Sequence, residues 1–130
     1  MKSLFVWCFI FLLLHPLDSF AAEKSGRTTT LTYDVYAGGI HAVNAALVIS
    51  GKPKAYETTL TAGTQGFLKS LANWAGKFSS KGLISKGQPL PLTHSSSSTW
   101  KAKTETKTFK YDGHGKFLSY KVSEIGRAHV

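Results

Sequence analysis

Cysteine is all but missing from this 130-residue chain. The one that occurs, Cys8, lies in an apolar stretch close to the start. That stretch, Leu4 to Leu14 ("LFVWCFIFLLL"), follows a positive Met1-Lys2 and precedes Pro16 and the small-residue end "SFAA". The order of parts is that of a secretory signal peptide, with Ser19 and Ala21 meeting the small-x-small rule for cleavage after Ala21. The run is also too short to span a bilayer core, which takes about 20 residues. Once the signal is removed no cysteine remains, so a disulfide framework, a thiol nucleophile and a thiolate metal site are all excluded. Cys8 sits inside the apolar run and not at the cut, which excludes lipid anchoring through it.

Arginine and acidic residues are scarce as well. Arginine occurs only at Arg27 and Arg127, and 16 basic residues face 7 acidic ones. Setting aside Lys2 and Asp18 in the signal, and Glu124 and Arg127 at the end, leaves 14 basic and 5 acidic residues, a net charge of +9. A nucleic-acid binder mixes in arginine for bidentate contacts. A lysine-rich exported chain fits an anionic surface of the cell envelope better, or simply a solvated surface.

The residues that catalysis would need are few and scattered. The acids of the exported part are Glu23, Asp34, Glu57, Glu105 and Asp112, of which only Asp34 and Glu57 are candidates to share a concavity. His41, His94 and His114 have no metal-pair spacing, so no metal site is expected. No G-x-S-x-G elbow or S-x-x-K occurs, and the glycines are turn glycines and not a phosphate cradle. A non-enzymatic protein with no cofactor and no nucleic-acid partner is the expectation.

What is present is strand sequence. "TTTLTYDVYA" places Leu31, Tyr33 and Val35 on one face and Thr32, Asp34 and Tyr36 on the other. Gly38-Gly39 suits a tight hairpin. "IHAVNAALVIS" returns with Val43, Ala45, Leu47 and Ile49 on one face, "GKP" turns, and "AYETTLTA" alternates Tyr56, Thr58, Leu60 and Ala62 against Glu57, Thr59 and Thr61. In "TQGFLKSLANWAGKF" the spacing of Phe67, Leu68, Leu71 and Trp74 predicts a two-turn helix ending near Gly76. "KFSSKGLIS" reads as a strand turned by Gly82 and Gly87, and "GQPLPL" as a Pro-rich connection. "THSSSSTWKAKTETKTFKY" reads as one long polar alternation, with Lys101, Lys103, Glu105 and Lys107 opposite Trp100, Ala102, Thr104, Thr106 and Thr108. Phe109 and Tyr111 then fall on the lysine side, which asks for a bulge or for cover. "DGHG" is a turn, and "KFLSYKV" the returning strand. The fold class expected is mainly β: an antiparallel meander forming a curved sheet or incomplete half-barrel, with one short helix packed on it.

Large apolar side chains are then the only candidates for a site. Phe67, Leu71, Trp74 and Trp100, beside Tyr33 and Tyr36, either build the core or line an apolar groove for a lipid-like ligand, with the lysines of 101–107 at its rim. Two readings stay open. One is an exported protein binding an amphiphile or an anionic cell-envelope component. The other is a solid-core protein docking on a partner protein or cell-wall polymer.

In order along the chain, "YDVYAGGIHAVNAALVIS", "GTQGFLKSLANWAGKFSSKGLI", "PLPLTHSSSSTW" and "KTFKYDGHG" resemble the bacterial family called domain of unknown function 3108, over about residues 31–118. The resemblance implies an exported, periplasmic, mostly β protein of Gram-negative type, with a looser likeness to the half-barrel of periplasmic lipoprotein carriers. It carries over no catalytic residues. Members of that family continue for several strands past the "YD-x-x-G" turn. The final "EIGRAHV" is compatible, codon for codon, with the start of a widely used short-read sequencing adapter. The organisation expected is therefore a signal peptide over 1–21, a polar leader over 22–30, the N-terminal part of a single β domain over 31–123, and an adapter artefact over 124–130.

Overall fold

A computed structural model describes residues 26–126. The cleavage site after Ala21, Glu23, Arg127 and His129 lie outside the described residues. Seven strands follow one another: β1 (Arg27–Ala37), β2 (Ile40–Lys52), β3 (Ala55–Thr64), β4 (Trp74–Ser85), β5 (Gln88–Trp100), β6 (Lys103–Tyr111) and β7 (Phe117–Ile125). They form one antiparallel sheet in the order β1-β2-β3-β4-β5-β6-β7. β1 and β7 are its two edges and do not pair, so the sheet is open. The single helix, α1 (Gly66–Leu71), joins β3 to β4. No helix of the described residues is long and apolar enough to cross a membrane.

Most strands stand where their alternation places them. β1 begins at Arg27, so the last residues of the polar leader are already strand. At the far end Glu124 and Ile125 close β7, opposite Glu105 and Thr104. Asp112 to Gly115 form the expected turn. Its anchor is the Asp112 carboxylate, which accepts the backbone N–H groups of His114 and Lys116, each at 2.9 Å.

Four expectations are corrected. The helix ends at Leu71, and Trp74 is the first residue of β4 instead of the last knob of a helical stripe. Gly82 is paired inside β4 and turns nothing; the reversal is made by Lys86 and Gly87, both at positive φ. "QPLPL" is the start of β5 and not a connection. β6 pairing begins only at Thr93, so Pro89 and Pro91 lie where β5 is paired on one side and the missing N–H groups are tolerated on the open one. The long polar alternation is two strands: Lys101 and Ala102, at φ 46 and 70, make a two-residue hairpin without glycine. That hairpin puts Trp100 opposite Lys103, on one face, where unbroken alternation would have separated them. Of the bulge or cover expected near Phe109, a register shift is found only past it, between Lys110 and Tyr111, so Phe109 stays on the side of Lys103 and Lys107.

Directly paired residues of an antiparallel sheet share a face. Following the register across the strands separates two faces of opposite character. One carries Leu31, Leu47, Leu60 and Phe78 in a single cross-strand row, then Ser96, Lys107 and Val122. The other carries Thr30, Val48, Thr59, Ser79, Ser95, Thr108 and Lys121 in the equivalent row. Nothing among the described residues covers either face, and Ala42 is the one buried hydrophobic residue there.

Candidate functional site: the apolar face

Three neighbouring rows build the centre of the apolar face. Val35, Val43, Thr64, Trp74 and Trp100 form one, and Leu31, Leu47, Leu60 and Phe78 another. Between them runs a row of small residues, Ala45, Ala62 and Gly76, starting from Tyr33 at the edge. A Cβ on Gly76 would stand 2.8 Å from the Trp74 ring and 2.9 Å from that of Phe78. Glycine there lets both rings lie down on the sheet. Trp74 is held in that pose by its indole N–H, which donates to Ser98 Oγ at 2.9 Å. Its backbone is clamped too: Trp74 N–H donates to Thr64 Oγ1, whose hydroxyl lies 3.2 Å from Trp74 O. A second aromatic group lies along the same face, where Phe109 meets His94 at a ring separation of 5.9 Å and Tyr120 at 4.9 Å.

This face is open to water. Leu31, Tyr33, Val35 and Trp100 are each more than 40% exposed. A contiguous exposed apolar surface of this kind is unusual in soluble proteins and marks a place of contact.

Of the four residues singled out from sequence, the structure brings two together. Trp74 and Trp100 are register partners across β4 and β5. Phe67 and Leu71 are not with them: they stand on α1, 65% and 61% exposed, and the helix makes its main contacts with β2. α1 has no buried residue and does not roof a groove. Its six residues are too few to form an apolar stripe that could seat on the sheet. Sequence reasoning left out Phe78, Phe109 and Tyr120 as site residues. Period-two alternation marks Phe78 as sharing Trp74's side, but only once Trp74 is assigned to the strand.

Two of the three rim lysines are paired. Lys103 and Lys107 do lie on the apolar face beside Trp100, but Lys103 Nζ is 3.0 Å from Glu124 and Lys107 Nζ 2.7 Å from Glu105. The hydrogen bond and charge of Glu105 hold the Lys107 ammonium above its ordinary pKa. These exposed pairs contribute little to stability, yet they leave two fewer free cations for head groups.

Asp34 and Glu57 both belong to the opposite face, six register steps apart along the strands and two strands across. At about 3.3 Å per step they are roughly 20 Å from one another, well beyond the ~5–10 Å that a pair of catalytic carboxylates spans. Each has another neighbour: His41 Nε2 lies 3.6 Å from Asp34, and Lys81 Nζ 3.1 Å from Glu57. No three metal-ligating side chains gather among the described residues. No family model matches the chain, and no curated protein or solved structure is significantly similar to it.

Proposed function

We propose that this is an exported, periplasmic, non-enzymatic protein that binds an amphiphile of the cell envelope on the open apolar face of its sheet. One observation carries the reading: a platform of exposed Leu31, Tyr33 and Trp100 around half-buried Trp74 and Phe78, on a sheet whose described part buries a single hydrophobic residue. Acyl chains lying across the sheet would remove that surface from water, at ~25 cal/mol per Å² of apolar area. The alternative, a solid-core protein docking on a partner protein or cell-wall polymer, calls for a core beyond what the described residues supply. Membership of the domain of unknown function 3108 family, on the motifs quoted above, belongs to the same proposal.

The test is extraction of the protein purified from cells, mass spectrometry of what comes off, and titration with cis-parinaric acid. Co-purifying lipid is expected, with probe binding weakened tenfold or more in Trp74→Ala, or about 1.4 kcal/mol. Absence of both lipid and probe binding in the wild-type protein would sink the reading.

A further inference from the structure

The opposite face carries a second and chemically different site. In its central registers, apart from Val48 and small residues, every position on β1 to β6 is hydroxyl-bearing, amide or charged. Two depressions open on it. One, of about 470 Å³, has Ala46, Gly63 and Ala75 beneath it and Thr32, Asp34, Asn44 and Thr61 around it. The other, of about 430 Å³, is lined by Thr59, Ser79, Ser95 and Thr106, with the Lys81–Glu57 pair at its end. Both include Lys77 and Ser97, so the two are one trough. It extends over six register steps, roughly 20 Å.

Lys77 stands at the middle of that trough. Its register neighbours are Thr61 and Ser97, and no carboxylate lies within ion-pair distance among the described residues. Around it Ser97 bonds Thr106 at 3.1 Å and Thr99 bonds Thr104 at 2.8 Å. Thr59, Ser79 and Ser95 have no such partner among the described residues. These hydroxyls are donors and acceptors alike, set on a rigid grid of ~4.8 Å across strands and ~6.7 Å along them. The face as a whole is cationic, with Lys52, Lys77, Lys81, Lys110 and Lys121 against Asp34 and Glu57.

We infer that this trough is a binding site for an acidic polysaccharide, with Lys77 pairing a carboxylate of the polymer and the serine and threonine hydroxyls exchanging hydrogen bonds with its sugar hydroxyls. The inference is independent of the amphiphile reading, because it uses the other face. Single-stranded nucleic acid is a poorer fit, since the central registers of the face carry no arginine and no aromatic ring on which a base could stack. A lipid surface is a poorer fit as well, since Val48 is the one apolar side chain larger than alanine in the central registers of β1 to β6 on that face.

The experiment is calorimetric titration of the exported chain with tetragalacturonate and, in parallel, with neutral maltotetraose. Tetragalacturonate is expected to bind at least tenfold more tightly. Lys77→Gln is expected to cost tenfold or more, and Thr59→Val severalfold. Lys121→Gln (same face, outside the trough) and Trp74→Ala (opposite face) should change the affinity less than twofold. Far-UV circular dichroism checks that each variant keeps its sheet. No binding of tetragalacturonate, or an equal loss in Lys77→Gln and Lys121→Gln, overturns the site; the second result would mean attraction by net charge alone. A loss in Trp74→Ala that matches the Lys77→Gln loss would place binding on the apolar face and overturn it too.

Discussion

Three glycines of β3 and β4 occupy strand interiors for different reasons, and substituting each with alanine separates them. At Gly63 a Cβ would meet nothing nearer than 3.5 Å, so Gly63→Ala should be neutral or stabilising by up to about 1 kcal/mol through the stiffer unfolded chain. At Gly76 the obstacle is two side-chain rings. They can lift, at a cost of about 1–3 kcal/mol for overpacking and with loss of the Trp74–Ser98 hydrogen bond. At Gly82 a Cβ would collide with the Leu90 carbonyl and lie 2.6 Å from the Tyr56 ring. A backbone atom cannot swing aside, so Gly82→Ala should be the most destabilising. Urea midpoints of the three variants should rank Gly63, Gly76, Gly82, and only Gly76→Ala should markedly shift Trp74 emission. In the sequence alone Gly82 reads as a turn. A glycine under a neighbouring strand's ring and a glycine in a reversal look alike until the register is known. Trp74 was misplaced for a related reason: Phe67, Leu68 and Leu71 lie at helical spacing, and the chance continuation of that spacing to Trp74 outweighed the strand composition that follows.

The hairpins show which turns could be read and which could not. Gly38 and Gly39, both at positive φ, and Lys86-Gly87 contain the residue that such turns favour. Lys101 and Ala102 adopt the same left-handed conformation with side chains that resist it, at about 1–2 kcal/mol per residue. Replacing them with Asn-Gly, the pair best suited to this reversal, should stabilise the sheet by roughly 1–3 kcal/mol. The check is a chemical melt of the double variant, which keeps the backbone N–H bond from position 101 to Asn73 O, 3.3 Å; no gain would mean that the left-handed pair carries no such strain. The β6–β7 connection behaves differently because a charge organises it. Two backbone N–H donors hold the Asp112 carboxyl below its ordinary value of 3.8. With the folded pKa depressed, the stabilisation is present above the unfolded value and is lost as pH falls through the folded one. Protection of the β6–β7 amides should therefore drop in acid below pH ~4, and Asp112→Asn, which keeps an acceptor but no charge, should remove that pH dependence.

The described residues form a sheet of one layer. Its alternation was legible in the sequence, down to the opposition of Leu31, Tyr33 and Val35 to the threonines of β1. The missing cover was not, because a half-buried strand has the same pattern whatever lies over it and wherever that layer comes from. An exposed apolar face joined to a long edge strand without lysine or proline from Thr28 to Tyr36 favours self-association. The 22–130 polypeptide should therefore scatter light on concentration. Thr30→Lys, a charge on the free edge and on the hydroxyl side, should suppress the scattering without altering the sheet's circular dichroism. A monomer that melts sharply and stays clear would show that the face is covered in solution.

The order of the strands has a mechanical consequence. Each strand is hydrogen-bonded only to its neighbours in the chain, so tension applied across the two ends acts on each hairpin in turn. Such a sheet peels from β1 or β7 inward, a strand at a time and at low force. It re-forms in the same stepwise way, by local pairings that each close in about 1–10 μs for an isolated hairpin. A chain drawn through a narrow pore would behave like a zip, opening ahead of the pore and closing behind it.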